Sequence, residues 1–371
     1  MLIGLLILIP LLIVAIFAFL RQPQFGRASS GERLHLIQRS PNYRNGQFQN
    51  LSNTPALTEG TSYYRIMKEF FFEKSKRGKP DVILPSKTVN LSELKRDQEV
   101  LVWFGHSSYF MQLNGKRILV DPVLSGSASP LKFTTRSFKG SDVYTPDDIP
   151  AIDYLFITHD HWDHLDYDTI IKLKPKIKKI ITGLGVGEHL EHWGFDKEII
   201  IEKDWNEEIP LEEGFIVNTA PARHFSGRGF KRNLSLWMSF VLQTPNRKIY
   251  IGGDSGYDNH FTEIGNKFGP FDLAILENGQ YDKNWKYIHM MPEEVVQAAR
   301  DLKAKTLFPV HWSKFALSVH AWDEPIIRLL KEAKRQNVAL LHPVIGEMTD
   351  LKESIPSTAW WENVGIQNPP K

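Results

Sequence analysis

The chain has 371 residues, 42% of them hydrophobic and 12% aromatic, which is enough apolar material for one large packed body and excludes a disordered one. Its 45 basic and 43 acidic side chains nearly cancel, so a protein that tracks a nucleic-acid backbone is excluded and no nucleic-acid partner is expected. No cysteine is present; disulfides, thiolate ligands and a cysteine nucleophile fall away together, and any metal must be held by His, Asp or Glu.

Leu2 to Leu20 carries no charge. As a helix rising about 1.5 Å per residue it reaches about 28 Å, close to a ~30 Å hydrocarbon core, so a single-pass membrane anchor is expected with Pro10 as a tolerated kink. A cleaved signal peptide would need basic residues before the span and small ones before the cut; Lys and Arg are missing before the span, and Ala15 to Leu20 (AIFAFL) makes a poor cleavage site. Arg21, Arg27, Arg33 and Arg39 follow the span, which predicts a cytoplasmic body; cleavage would instead export it to the periplasm or beyond. Residues 21–95, rich in Arg, Asn, Ser, Gly and Pro, read as a lead-in packing on the body, with one helix around Tyr63 to Lys74. The catalytic body is expected over 96–350 and a tail over 351–371.

Within the body, Glu99 to Phe104 and Tyr109 to Leu113 read as strands, and Asn114-Gly115 is a tight hairpin signal leading into Arg117 to Val120. Tyr154 to Ile157 is a further strand. Asp166 then caps a helix with Ile170, Ile171 and Leu173 inside, stopped before Pro175. Gly183, Gly185 and Gly187 do not match the dinucleotide-binding spacing and read as a turn before a helix at His189 to Trp193. Phe215 to Asn218, Leu236 to Leu242, Lys248 to Ile251, Leu273 to Leu276 and Thr306 to Val310 complete the strands. Pro292, with Glu293 and Glu294, starts a helix whose apolar face is Val295, Val296, Ala299 and Leu302. The expected class is α/β: two sheets face to face, covered outside by helices, a four-layer αββα sandwich with the N-terminal transmembrane helix attached.

Residues 158 to 166 read THDHWDHLD. On a regular helix His159 and Asp163 would share one face and His161 and His164 another, so the four converge only on a loop at a strand end. Neutral imidazole and carboxylate are ligands that zinc accepts, as do manganese and iron. One loop cannot fill two metals and leave room for reactive water. The remaining ligands are therefore sought at other strand ends, where His224 in PARHFSGRG, Asp254 in GGDSGY and His311 in PVHW stand. His106 in GHSSY and His289 in IHMMP are candidates for substrate contacts or for partners behind the ligands, with a structural histidine making a local hydrogen bond as the alternative. Arg228 is another candidate substrate contact, from the cluster Arg223, Arg228, Lys231 and Arg232 around His224 that would suit a phosphate.

With its HxHxDH loop and the later His, Asp and His in order, the chain resembles the metallo-β-lactamase-fold hydrolases over roughly residues 96 to 345. The segments WFGHSSYFMQLNGKRILVDPVLS, THDHWDHLD, PARHFSGRG, GGDSGY, HMMPEEVV and PVHWSKF make it most similar to the N-acylphosphatidylethanolamine-hydrolysing phospholipase D branch, with ascorbate-6-phosphate lactonases more distant. The resemblance implies two zinc ions, one held by His159, His161 and His224, the other by Asp163, His164 and His311, with Asp254 bridging. Water shared by two such cations loses its proton near neutral pH and becomes the nucleophile, and Asp163 is placed to orient it or to pass a proton to the leaving group. The expected substrate is a small-molecule or lipid phosphodiester, as for a phospholipase D; a lactone or other carbonyl ester on the same centre, or a metal-stabilised scaffold without turnover, are the alternatives. True β-lactamase action is not expected. The oligomeric state is left open.

Overall fold

The computed structural model describes residues 2–73, 75–353 and 358–364, with side chains from Ile9 onward. Lys74, at the end of one expected helix, and residues 354–357 and 365–371 of the expected tail lie outside the described residues. Helices are α1 (Leu2–Leu20), α2 (Gly31–Arg39), α3 (Tyr63–Lys68), α4 (Tyr167–Leu173), α5 (Val186–His192), α6 (His260–Phe268), α7 (Pro292–Asp301) and α8 (Glu324–Gln336). A small hairpin, β1 (Tyr43–Arg44) and β2 (Gln47–Phe48), precedes the body.

One seven-stranded sheet runs in the order β16 (Met348–Asp350), β3 (Val100–Trp103), β4 (Tyr109–Leu113), β5 (Lys116–Val120), β6 (Ile152–Ile157), β7 (Ile177–Gly183), β8 (Ile200–Lys203). The other runs β9 (Glu208–Pro210), β10 (Ile216–Ala220), β11 (Ser239–Gln243), β12 (Lys248–Ile251), β13 (Leu273–Glu277), β14 (Thr306–Val310), β15 (Ala339–Leu340). Each sheet starts antiparallel and turns parallel, at β5–β6 in one and β12–β13 in the other. The parallel pairs put the carboxyl ends of β5 and β6, and of β12, β13 and β14, on one edge each, where an open α/β sheet places its ligands.

Both faces of the first sheet are buried. In β6, Tyr154 and Phe156 join the core between the sheets, against Phe215 and Phe240, while Leu155 and Ile157 join a second core under Ile170, Leu173, Val186 and Leu190 of α4 and α5. That double burial makes the strand a continuous apolar run instead of an alternating one. On the second sheet α7 covers the outer face with Val295, Val296 and Ala299; Pro292 opens it, and Glu294 returns its carboxylate to the Met291 N–H at 2.8 Å. Each such fully buried aliphatic side chain contributes about 1.5–3 kcal/mol. The architecture is thus the expected four layers.

Several local expectations shift. Asn114 and Gly115 both have positive φ, as the tight hairpin requires. The strand expected from Leu236 begins only at Ser239, because Leu236 and Met238 donate instead to the Leu184 and Thr158 carbonyls of the first sheet's loops, stitching the two sheets beside the HDHWDH loop. The helix expected to Lys74 is α-helical only to Lys68 and continues as a π-turn over Glu69–Glu73. The tail is anchored: Trp360 and Trp361 are buried, and Trp360 stacks on Trp312 at 5.5 Å. The lead-in wraps the body, with Arg33 on α2 bonded to Glu188 at 2.9 Å, Glu202 at 2.6 Å and Glu191.

The expected anchor segment is helical throughout as α1, Pro10 included, and its side chains from Ile9 to Phe17 are exposed. Among the described residues no helix is long and apolar enough to cross a membrane; the side chains of residues 1–8, where the expected span begins, lie outside them.

Candidate metal centre

Four strand ends deliver the histidines and acids to one point between the sheets. After β6, residues His159 to His164 form a compact loop in which the His164 and Leu165 N–H groups both donate to the His161 carbonyl. His224 follows β10, Asp254 follows β12 and His311 follows β14 directly. Gly253, at φ +61, passes so close to Thr158 that a Cβ there would lie 2.9 Å from the threonine side chain. Glycine is therefore what allows Asp254 to reach the loop.

His159 Nε2 lies 2.9 Å from His161 Nδ1, and His224 Nε2 lies 3.3 Å from the same atom, a trio whose ligand atoms suit one cation. His164, His311, Asp163 and His106 form a second group. Asp254 stands between them: its Oδ2 is 3.2 Å from His164 Nε2, 3.7 Å from His224 Nε2 and 3.9 Å from His159 Nε2, and its Oδ1 is 3.2 Å from His311 Nδ1. His164 Nε2 and Asp254 Oδ1 are buried without a hydrogen-bond partner, which is the condition of atoms that ligate a cation. The donor set, imidazole and carboxylate, fits zinc.

The electrostatics are those of a ligand set. Burial, reinforced by neighbouring imidazoles, holds His159 well below the usual histidine range; burial likewise depresses His161, His224 and His311, so these rings are neutral and carry a lone pair. Asp254 and Asp163 are buried too, yet the facing imidazoles, His164 foremost, outweigh burial and hold both carboxyls well below the carboxylate range. Burial works against a charge on His164, but Asp254, Asp163 and Asp121 around it favour a positive one.

A residue that the sequence reading passes over organises this set. Asp121, directly after β5, accepts the Thr158 N–H at 2.9 Å and the Thr158 hydroxyl at 2.6 Å, and its Oδ2 receives His164 Nδ1–H at 2.8 Å. Since the Thr158 hydroxyl donates to Asp121, it accepts from His159 Nδ1 at 3.0 Å. One buried carboxylate thus fixes Nδ1 as a protonated nitrogen of both His159 and His164 and turns both Nε2 atoms inward, where a cation would replace the proton that the surrounding acids favour on His164. His224 is set separately, by donating Nδ1–H to the Ile288 carbonyl at 2.8 Å, and Asn50 of the lead-in clamps its backbone from both sides.

A family profile described as a beta-lactamase superfamily domain matches residues 116–312, just over half of the chain. The chain belongs to the beta-lactamase superfamily. An uncharacterized protein of Mycobacterium tuberculosis is 37% identical over 338 residues, covering 87% of this chain and 88% of that protein. N-acyl-phosphatidylethanolamine-hydrolyzing phospholipase D 1 of Caenorhabditis elegans is 30% identical over 291 residues, covering 73% of this chain and 80% of the phospholipase. In structure the chain is similar to Igni18, a metallo hydrolase of Ignicoccus hospitalis, with a TM-score of 0.53 at 20% identity, covering 68% of this chain and 97% of that one; this likeness shows the fold.

Around the centre of this superfamily member lies a cavity of about 390 Å³. His161, Asp163, His224, Asp254, His289 and His311 all line it. His289 therefore stands where a substrate contact is expected. His106 does not line the cavity; it is fully buried, with Nε2 2.9 Å from Asp163 Oδ2 and its ring 4.0 Å from that of His311. Behind His289, buried Glu277 ends β13, and burial pushes its carboxyl up to about 7. No motif flags it.

Arg228 requires a correction. It lies behind the loop, buried, giving Nη1–H to the Asp160 and Leu165 carbonyls at 2.8 and 2.7 Å and Nε–H and Nη2–H to the Gln24 carbonyl, with its guanidinium 4.0 Å over the Trp162 ring. Four of its five N–H donors go to backbone carbonyls and it does not line the cavity at the centre, so it braces the HDHWDH loop from behind. Asp160 completes the brace, accepting from the Gly227 N–H at 2.7 Å, Ser235 at 2.7 Å and His189 at 3.1 Å. Of the basic cluster only Arg232 lines the cavity.

Proposed function

We propose that this metal-dependent hydrolase is a zinc enzyme that cleaves phosphodiesters, with a phospholipid or related lipid phosphodiester as its substrate class. The observation that carries the reading is the pair of ligand groups meeting at Asp254, with His164 Nε2 and Asp254 Oδ1 otherwise unpartnered. The likeness to a phospholipase D and the apolar walls of the cavity support the substrate class.

His159, His161 and His224 would hold one cation and Asp163, His164 and His311 the other, with Asp254 between. When bound, two such cations supply Lewis acidity toward a phosphoryl oxygen and lower the pKa of water. The chain's own residues do the rest. Asp121 and the Ile288 carbonyl fix which ring nitrogens face inward. Asp163, held ionised against burial by His164 and then His106 and oriented by the His106 bond to its Oδ2, would orient water or pass a proton to the leaving group. His289 presents a ring at the cavity wall to a phosphoryl oxygen, and the apolar residues lining the mouth exclude bulk water. α1, with its exposed apolar side chains and the arginines that follow, is read as a bilayer anchor with the body on the cytoplasmic side.

The test is full-length protein loaded with zinc and assayed on a bis-aryl phosphate, on a phospholipid and on a lactone. Phosphodiester cleavage abolished by a chelator and restored by zinc is expected. Lactone opening without phosphodiester cleavage would move the assignment to a carbonyl hydrolase. Two bound metals without turnover on any substrate would leave a scaffold. For the anchor, the body should stay with the membrane fraction and be cut only after lysis; a soluble periplasmic product would overturn it.

A further inference from the structure

The segment Tyr63 to Phe72 is not used by the hydrolytic reading, yet it carries an unusual surface. Tyr63, Tyr64, Met67, Phe71 and Phe72 are exposed, Tyr64 at 79% and Phe72 at 83%, within ten residues of α3 and the π-turn after it. A water-facing surface rarely gathers so many large apolar groups. The segment is not loosely placed. Ser62 caps it by accepting the Arg65 N–H at 3.2 Å, Arg65 pairs with Glu69 at 3.1 Å, and Glu69 accepts from Asn284 Nδ2 at 2.5 Å. Thr61 adds a bond to Asn284 Oδ1 at 3.0 Å. Its polar side is therefore tied to the loop that carries Trp285, Ile288 and His289, and its aromatic side is left facing outward.

That loop and this segment share the cavity. Tyr63 is itself a cavity wall, and Ala56, Leu57, Trp285, Ile288 and Leu317 line the same cavity as the ligands. One cavity thus joins the candidate ligands to a residue of the exposed aromatic segment.

We propose that Tyr63 to Phe72 is a docking lip for a phospholipid bilayer, seating its aromatic side chains in the interfacial layer and holding the cavity mouth against the lipid. Tyrosine, phenylalanine and methionine are the side chains that such a layer accepts, with an apolar body and, for Tyr, a polar tip. Ten residues are too short to span, so the lip lies in the plane of the interface. Arg65 lies within the segment and Lys283 stands 3.9 Å from Glu69 on its tied side, where lipid phosphates would meet them. The exposed apolar side of α1, from Ile9 to Phe17, fits the same partner independently. A long-chain amphiphile then passes from bilayer to metal centre along the apolar wall; this delivery rests on the hydrolase reading, whereas the docking does not.

The lack of cysteine makes the test clean. Phe72→Cys carries one environment-sensitive nitrobenzoxadiazole label, and Lys331→Cys on α8 carries it in the control, each in the full chain reconstituted with phosphatidylcholine vesicles. A blue shift at position 72, quenched by brominated acyl chains, with no response at 331, is expected. An unshifted label at 72 overturns the proposal. So does a shift that appears equally without vesicles and grows with protein concentration, which would make the lip a contact between two copies of this chain. In a second measurement, Phe71→Ser with Phe72→Ser should weaken turnover of a vesicle phosphodiester about tenfold and leave turnover of a soluble bis-aryl phosphate and the metal content unchanged. Equal loss on both substrates overturns the delivery route. No turnover on either, with the label response intact, would sink the hydrolase reading alone.

Discussion

Asp121→Asn tests the idea that one carboxylate sets two ligands. Asp121 sits at φ +41°, a conformation that Asn tolerates, so the backbone has no reason to move. If the amide oxygen keeps the Thr158 N–H at 2.9 Å, the amide nitrogen takes the place of Oδ2 and points its hydrogens at His164 Nδ1 and the Thr158 hydroxyl. His164 escapes the clash only by moving its proton from Nδ1 to Nε2, the atom 3.2 Å from Asp254 that must be bare to ligate. The Thr158 hydroxyl must also turn, which removes the acceptor that orients His159. Loss of such an outer partner typically costs 10–100-fold in metal affinity, about 1.4–2.7 kcal/mol at 1.36 kcal/mol per tenfold. Competition with a chromophoric chelator should show zinc binding weakened by about that factor, with circular dichroism of the metal-free protein unchanged. Wild-type affinity in a folded Asp121→Asn protein would refute the claim that Asp121 governs the tautomers.

His260, on α6 and buried, has its pKa pushed down to about 4 by burial, so between about pH 6.5 and 4 the unfolded chain takes up a proton that the folded one refuses. Stability should therefore fall as pH drops through that window, by up to about 3 kcal/mol from this group, and urea melts of His260→Asn should show a flatter pH slope than wild type. Arg33→Met removes the cation shared by Glu188, Glu191 and Glu202; a loss of about 2 kcal/mol is expected, with faster tryptic cleavage between α2 and the body as the readout. Trp361→Ala empties a buried site beside Trp312 and should cost about 3–5 kcal/mol in denaturant unfolding, whereas a loose tail would give no change.

How far the sequence could be read depended on how many positions spoke at once. Strands such as Tyr109–Leu113, Lys248–Ile251 and Thr306–Val310 were legible because burial on both faces writes a mostly apolar run between polar turns. Short edge strands such as Ala339–Leu340 leave no such run. HDHWDH was legible since four candidate ligands in six residues exceed what a solvated turn needs, and His224, Asp254 and His311 could be found once strand ends were the place to look. Asp121 and Glu277 were silent: a single acid after a strand looks the same whether it meets water or a buried imidazole. Arg228 misled for a related reason. Its neighbours in sequence are cations around a ligand histidine, but in space it faces carbonyls of the loop, whose need for donors no spacing rule encodes.

The division of the centre between two sheets has a consequence for biosynthesis. The HDHWDH loop belongs to the first sheet, while His224, Asp254 and His311 belong to the second, and the last of these follows β14. A chain emerging from the ribosome therefore holds only a fragment of the coordination shell until residue 311 is out and β14 has paired. Metal capture becomes a record that the two halves have met, and an ion taken from the cell's pool locks a nearly finished body instead of templating an early one.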